Sequence, residues 1–281
     1  MAAQVVHPPD QPAYAQVRMI RTVLISAASK PPIDQVVIRP TTNECGMFAE
    51  VFAELEAAYG TLIEVYSGDA AFCSEANARL VAQAGKGYIF ALKGNQRELW
   101  REATRLLGKA TVVASTPWER YQGTRVRYHL SRTTELEGYL DWAHLKQVWR
   151  IEKERVQPHG QVERENHYYL TNLHLDRFRP EQILQVVRAH WGIENNCNWT
   201  MDVVWDEDTK VWCGRGAAIQ ALGLLRLMAY NLAALWRCRY LRRCEERRQE
   251  KRNWQEFFDL LLQLFSNEGG DFSNKQVTEP L

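Results

Sequence analysis

Residues 61–94 read TLIEVYSGDAAFCSEANARLVAQAGKGYIFALKG. Residues 62–67 bring Ile63, Val65 and Tyr66 together and stop at Gly68-Asp69, the pattern of a short, buried strand. Residues 74–84 carry helical spacing, and Gly85 closes the helix. Residues 88–92 (YIFAL) form a second apolar strand. Strand, helix and strand in about thirty residues is α/β organisation.

The same alternation extends upstream. Residues 17–26 (VRMIRTVLIS) and 34–39 (DQVVIR) are two strands separated by Lys30-Pro31-Pro32. Thr42 or Asn43 caps a helix over 43–59 with Met47, Phe48, Val51, Phe52 and Leu55 on one face, and Gly60 ends it. Downstream, Lys93-Gly94-Asn95-Gln96 turns into a helix over 98–107. From 111 to 173 the period changes to two, in runs at 125–133, 145–156 and 166–171, which predicts an antiparallel β insertion. Helical spacing returns at Pro180 and continues through Asp202, and a long helix spans 217 to about 250. The expected organisation is a proline-rich leader (1–16), a first half of an α/β domain (17–110), the insertion (111–175), a helical second half (176–250) and a C-terminal helix and tail (251–281).

The chain has 281 residues, 46% hydrophobic and 25% charged, which excludes a disordered tail protein or a small disulfide scaffold. Lys and Arg number 35 against 34 Asp and Glu, a net charge of +1, so any field for nucleic acid must come from local clustering. None of the six cysteines falls at CxxC spacing, which predicts reduced thiols and a cytoplasmic location. Residues 1–14 hold three prolines and no apolar run, unlike a secretory signal. The longest apolar stretch, 217–236, is interrupted by Gln220, Arg226 and Asn231 and is expected to be a core helix, with no membrane partner.

Four places carry chemistry. Asp69 sits at the carboxyl end of a strand, where ligands gather in open α/β sheets; a helix cap or turn is the plainer reading of such an Asp. Residues 186–202 (VVRAHWGIENNCNWTMD) crowd Arg188, His190, Trp191, Glu194, Asn195, Trp199 and Asp202 into a few turns, where a structural helix would show a cleaner apolar stripe. His190 and Glu194 lack the HExxH pair and third soft ligand of a zinc site, whereas carboxylates suit Mg²⁺, with Mn²⁺ as the alternative. Trp199 is expected in the core, and Trp191 at the site. Lys93, Asn95 and Gln96 offer contacts to phosphate or base edges without the Walker spacing. Finally, residues 237–252 hold eight basic against three acidic residues, either a solvated face or a phosphate-contacting stripe.

TNECGMFAEVFAEL (42–55), SGDAAFCSEANARLV (67–81), YIFALKGNQRELWREA (88–103) and RAHWGIENNCNWTMDVVWDED (188–208) occur in this order. Together they resemble a DDE-type transposase of bacterial insertion sequences, in the IS-four-like group, from about Val17 to about Trp236. The resemblance implies an RNase H-like α/β fold: a mixed sheet with flanking helices, a β insertion and a helical C-terminus. It also implies two Mg²⁺ ions held by two Asp and one Glu, with insertion-sequence ends and target DNA as partners and a homodimer on DNA. The middle Asp corresponds to Asp69 and the Glu to Glu194. Lys93, Asn95, Gln96, Arg188, His190, Trp191, Asn195, Trp199 and Asp202 become accessory or DNA-contacting residues. A Tyr, Arg and Lys signature found in part of the family is replaced here by Val187, His190 and Met201. Only two strands precede the helix at 43–59, and neither Asp10 nor Asp34 replaces the family's first Asp. The expectation is a shortened gene product, weakly active or inactive in cleavage, or a DNA-binding remnant or regulator.

Overall fold

The computed structural model describes residues 4–6, 14–207 and 216–243. Two compact units divide the chain, Met1–Ser26 with Ile33–Gly192, and Ala27–Pro32 with Ile193–Leu281.

In the first unit, β1 (Gln4–Val6) and β2 (Tyr14–Gln16) pair antiparallel, so the proline-rich leader contains a small ladder. β3 (Met19–Val23) and β4 (Pro32–Val37) form a second two-stranded sheet. Helix α1 (Glu44–Tyr59) starts at Asn43, whose side chain accepts the Gly46 N–H at 2.9 Å. Its buried stripe of Met47, Val51 and Leu55, spaced by four, packs on Ile20 and Ile38 beside the β3–β4 pair. β5 (Val65–Gly68) and β6 (Gly87–Leu92) lie parallel, joined through α2 (Glu75–Gln83), which Ser74 caps by accepting the Asn77 N–H. Helix α3 (Arg97–Leu107) follows and buries Leu99, Ala103 and Leu107.

β7 (Ala114–Ser115), β8 (Glu119–Tyr121), β9 (Thr124–Thr133), β10 (Gln147–Val156) and β11 (Val162–Thr171) then pair antiparallel. They are not a detached layer. β11 pairs β6 from Tyr168↔Leu92 to Thr171↔Ile89, which gives one mixed sheet in the order β5-β6-β11-β10-β9-β7, with β8 on β9. The alternating pattern predicts strands but not the edge they join, because pairing partners are set by burial on both faces. Tyr88, Phe90, Leu92 and Val148 point into a core with α2 and α3, while Ile89, Trp149 and Ile151 point to the other face. That second face is covered by α4 (Pro180–Gly192) through Ile183, Leu184 and Val187. β11 also starts four residues earlier than its alternation suggests, and residues 162–167 run on past the end of β6.

The second unit begins where the expected helix over 180–202 changes geometry. Ile193–Asn198 and Thr200–Val204 are π-helical, with i→i+5 bonds in place of i→i+4. Positions argued from 3.6 residues per turn therefore do not hold beyond Gly192. Cys197, Thr200 and Met201 are buried here. Helix α5 (Gly216–Arg243) buries Leu227, Tyr230, Ala233 and Ala234, and the Tyr230 ring meets Trp205 edge-on at 6.2 Å. The Asn231 side-chain N–H donates to the Pro32 carbonyl at 2.8 Å. Within α5, Ala217–Arg239 is the one span among the described residues long and apolar enough to cross a membrane by length and composition. Of the basic run 237–252, residues 237–243 belong to α5, while 244–252 and the tail 251–281 lie outside the described residues.

Candidate active site

Strand β5 delivers Asp69. Gly68 permits the close approach just before it, since a Cβ there would lie 3.2 Å from both Phe72 Cβ and Phe90 Cδ1. The chain then makes one 3₁₀ turn, Ala70–Phe72. Asp69 precedes this turn without capping it: its side chain makes no cap hydrogen bond. Its Oδ1 instead accepts from His190 Nε2 at 3.0 Å. His190 is buried in the last turn of α4, and its Nδ1 lies 3.1 Å from Ser67 Oγ. The Asp69 side chain remains 57% exposed. The hydrogen bond from His190 holds the Asp69 carboxyl below the usual carboxylate range; partial burial pushes the other way, and the charges of His190 and Lys93 reinforce the lowering. Asp69 is thus an ionised, accessible carboxylate at neutral pH.

The turn after Asp69 is clamped from the next strand–helix junction. Asn95 Nδ2 donates to the carbonyls of Ala70 (2.8 Å) and Cys73 (3.3 Å), and Gln96 Nε2 donates to Cys73 at 3.0 Å. Lys93, Asn95, Gln96, Asp69 and His190 therefore converge at one end of the sheet, with Lys93 exposed. Arg188 makes a two-pronged ion pair with Glu119 of β8, at 2.9 and 2.5 Å, and lies over the Tyr128 ring. The Trp191 indole donates to Tyr169 Oη at 2.6 Å and packs against Tyr128 and His167. Expected at the site, Trp191 is half-buried in the second core; expected in the core, Trp199 is 46% exposed. The π-helical turns account for Trp199, because they displace it from the face an α-helix would give it, whereas Trp191 lies in the regular α4 and is held there by Tyr169, Tyr128 and His167.

Glu194 and Asn195 belong to the first π-helical segment and Asp202 to the second; Glu194 is exposed and Asp202 half-buried. Sequence reasoning passed over Ser67, Tyr169 and Tyr128. Ser67 had a signal: it stands two residues before Asp69, and alternate residues of a strand share a face. The tyrosines had none beyond strand alternation.

Among the described residues, no group of three or more His, Cys, Asp or Glu is gathered to hold a metal ion. Asp69 nonetheless has the chemistry of one ligand for a hard divalent cation, being ionised, oxygen-bearing and accessible.

Comparison with known proteins places these residues in context. A family model described as "Transposase DDE domain" matches residues 11–232. The chain is 27% identical over 186 residues to "Putative protein YbfL" of Escherichia coli K12, covering 60% of this chain and 47% of that protein. It is 26% identical over 179 residues to "Putative transposase YncI" of Escherichia coli O157:H7, covering 58% and 44%. The chain thus spans about half the length of the curated relatives it matches. A piggyBac transposase, solved by cryo-EM as a synaptic complex with hairpin DNA, aligns over 96% of this chain and 51% of its own, at 11% identity and a TM-score of 0.46. The family match extends from β2 through the Asp69 turn and α4 into α5, and on that extent the chain belongs to the DDE transposase family.

Proposed function

We propose that this chain acts in DNA transposition and that Asp69 and Glu194 are ligands for divalent metal, Mg²⁺ or Mn²⁺. The observation that carries the reading is Asp69 itself: a carboxylate at the carboxyl end of β5, the strand at one edge of the mixed sheet, kept ionised by a buried histidine, in a family defined by such carboxylates. Two bound divalent ions supply stabilisation of the attacking and leaving oxygens in displacement at phosphorus. The chain's own residues then have simpler tasks. Asp69 and Glu194 provide negative charge, Asn95 and Gln96 hold the Asp69 turn, and Lys93 presents a cation to the phosphate backbone of DNA. The parallel pair β5–β6 with α1 to α3 on one face and α4 on the other supports an RNase H-like reading of the mixed sheet. On this reading the protein works in the bacterial cytoplasm, as a homodimer on insertion-sequence ends.

A second reading is that the chain binds DNA and cleaves it weakly or not at all, as a remnant or regulator.

Binding of a fluorescent DNA duplex and nicking of supercoiled plasmid, each with Mg²⁺ and with Mn²⁺, test both. Binding that falls steeply between 50 and 200 mM salt is expected from phosphate contacts. Weak nicking that disappears in both Asp69→Ala and Glu194→Ala supports the metal-ligand reading. Binding without nicking supports the regulator. Nicking unchanged in Asp69→Ala, or no binding at low salt, sinks the assignment.

A further inference from the structure

We infer that His190 is a positioning residue: with Ser67 behind it, it fixes one oxygen of the Asp69 carboxylate and turns the other outward as a single-oxygen metal ligand. The inference rests on Asp69 being a metal ligand, as proposed above.

The argument is one of donors and acceptors. An ionised carboxylate only accepts hydrogen bonds, so the 3.0 Å contact at Asp69 Oδ1 requires a proton on His190 Nε2. In the neutral ring Nδ1 is then an acceptor, and the group 3.1 Å away is the Ser67 hydroxyl, which donates to it. The chain Ser67 Oγ–H to Nδ1, and Nε2–H to Oδ1, is therefore polar in one sense, from strand to histidine and back to the end of the same strand.

Both ends belong to β5 and its continuation, two residues apart, while the ring comes from α4, 121 residues further on. The imidazole is buried, with its side chain 10% exposed, beside the apolar contacts of Ile183, Leu184 and Val187 on the same helix, so it has little room to turn. Asp69 is the reverse, with more than half its side chain in solvent. A carboxylate on an exposed turn is free to rotate about its χ2 bond; one held at Oδ1 by a buried ring is not. The Asn95 and Gln96 clamps fix the backbone of the turn, and His190 fixes the side chain. Partners of this kind set ligand orientation, and their loss typically lowers metal affinity about 10–100-fold.

Two measurements on the full chain separate this inference from the reading beneath it. Long-range ¹H–¹⁵N spectra of the histidine rings, recorded without metal at pH 7.5, report the tautomer, with His190 assigned by its absence in His190→Gln. A pure Nε2–H ring in the wild type that becomes a mixture of tautomers in Asp69→Ala is the expected result. A wild-type ring with its proton on Nδ1, or a ring indifferent to Asp69→Ala, overturns the inference.

The second measurement is Mn²⁺ uptake, followed by electron paramagnetic resonance. Uptake should be lost in Asp69→Ala and weakened about tenfold or more in His190→Ala. It should be largely kept in His190→Gln, whose side-chain N–H can replace the donor, and intermediate in Ser67→Ala. Thermal melts of each variant show which are folded, and the Gln and Ser67 variants decide the matter if His190→Ala is not. Loss in Asp69→Ala with wild-type uptake in the folded histidine and serine variants removes the positioning role and leaves the ligand. Uptake unaffected by Asp69→Ala, or absent from the wild type, removes the ligand itself, while the ring spectra still decide where His190 holds its proton.

Discussion

The motif RAHWGIENNCNWTMD crosses a boundary at Gly192, and its two sides behave differently. Before it, α4 is regular, buries Ile183, Leu184 and Val187 on the sheet, and ties its polar residues down: Arg188 to Glu119, His190 to Asp69, Trp191 to Tyr169. After it, the backbone widens into π-helical turns, with Glu194, Trp199 and Val203 exposed and Cys197, Thr200 and Met201 buried. One side is positioned by packing against a sheet. The other is built on backbone geometry that is uncommon in proteins and frequent where function resides.

The largest expected effect tests the packed side. Ile183 is 1% exposed in the core between α4 and the sheet. Ile183→Ala should cost about 2–5 kcal/mol in urea unfolding, the range for emptying such a site. A cost under about 1 kcal/mol means that α4 is not held by its apolar stripe, and the contrast across Gly192 is lost.

Second in size is the charge buried in the same sheet. Glu154 on β10 is 5% exposed, and burial by itself would raise its carboxyl. Hydrogen bonds from Arg127, His129 and Arg164 outweigh that and bring it to about 2. An unfolded glutamate titrates near 4.3 (approximately). The folded value is the lower one, so the stabilisation is complete above the unfolded value and is lost as pH falls through about 2. Glu154→Gln should cost about 1.5–3 kcal/mol at pH 7, the worth of hydrogen bonds to a charged group. The gap between variant and wild type should shrink below about pH 4 and nearly close near pH 2; a gap that widens with acid reverses the sign and refutes the pairing.

Local features of the fold were legible in the sequence because their causes are local. Asn43 and Ser74 cap the helices they were expected to begin, and Gly68-Asp69 ends the strand it was expected to end. His190 and Asp69 were both legible as unusual residues. Their contact was not, since nothing in either segment encodes a partner 121 residues away. The pairing of β11 with β6 was hidden for a similar reason: alternation gives faces, not neighbours. The π-helical turns were hidden because a 3.6-residue template and a wider one place IENNCN almost equally well over so short a run. That is why Trp199 left the face expected of it.

The same substitution at those two tryptophans gives the finest measure of the boundary. Phe keeps an aromatic ring and removes the indole N–H. At Trp191 that N–H donates to the hydroxyl of Tyr169, a residue itself only 3% exposed, so the change removes a hydrogen bond from a largely buried pair. The expected cost is about 0.5–1.5 kcal/mol. Trp199 makes no hydrogen bond through its indole among the described residues and is nearly half exposed, so Trp199→Phe should change stability by less than about 0.5 kcal/mol. DNA affinity should sort the pair in the opposite direction. An exposed indole next to bound DNA stacks on a base, worth about 1–3 kcal/mol on full removal to Ala, and a phenyl ring recovers part of it. Melting temperature and duplex affinity, measured for Phe and Ala at both positions, therefore give two orderings. Trp191 should lead the first and Trp199 the second; a single residue leading both would show that the two tryptophans are not divided at Gly192 between packing and DNA contact.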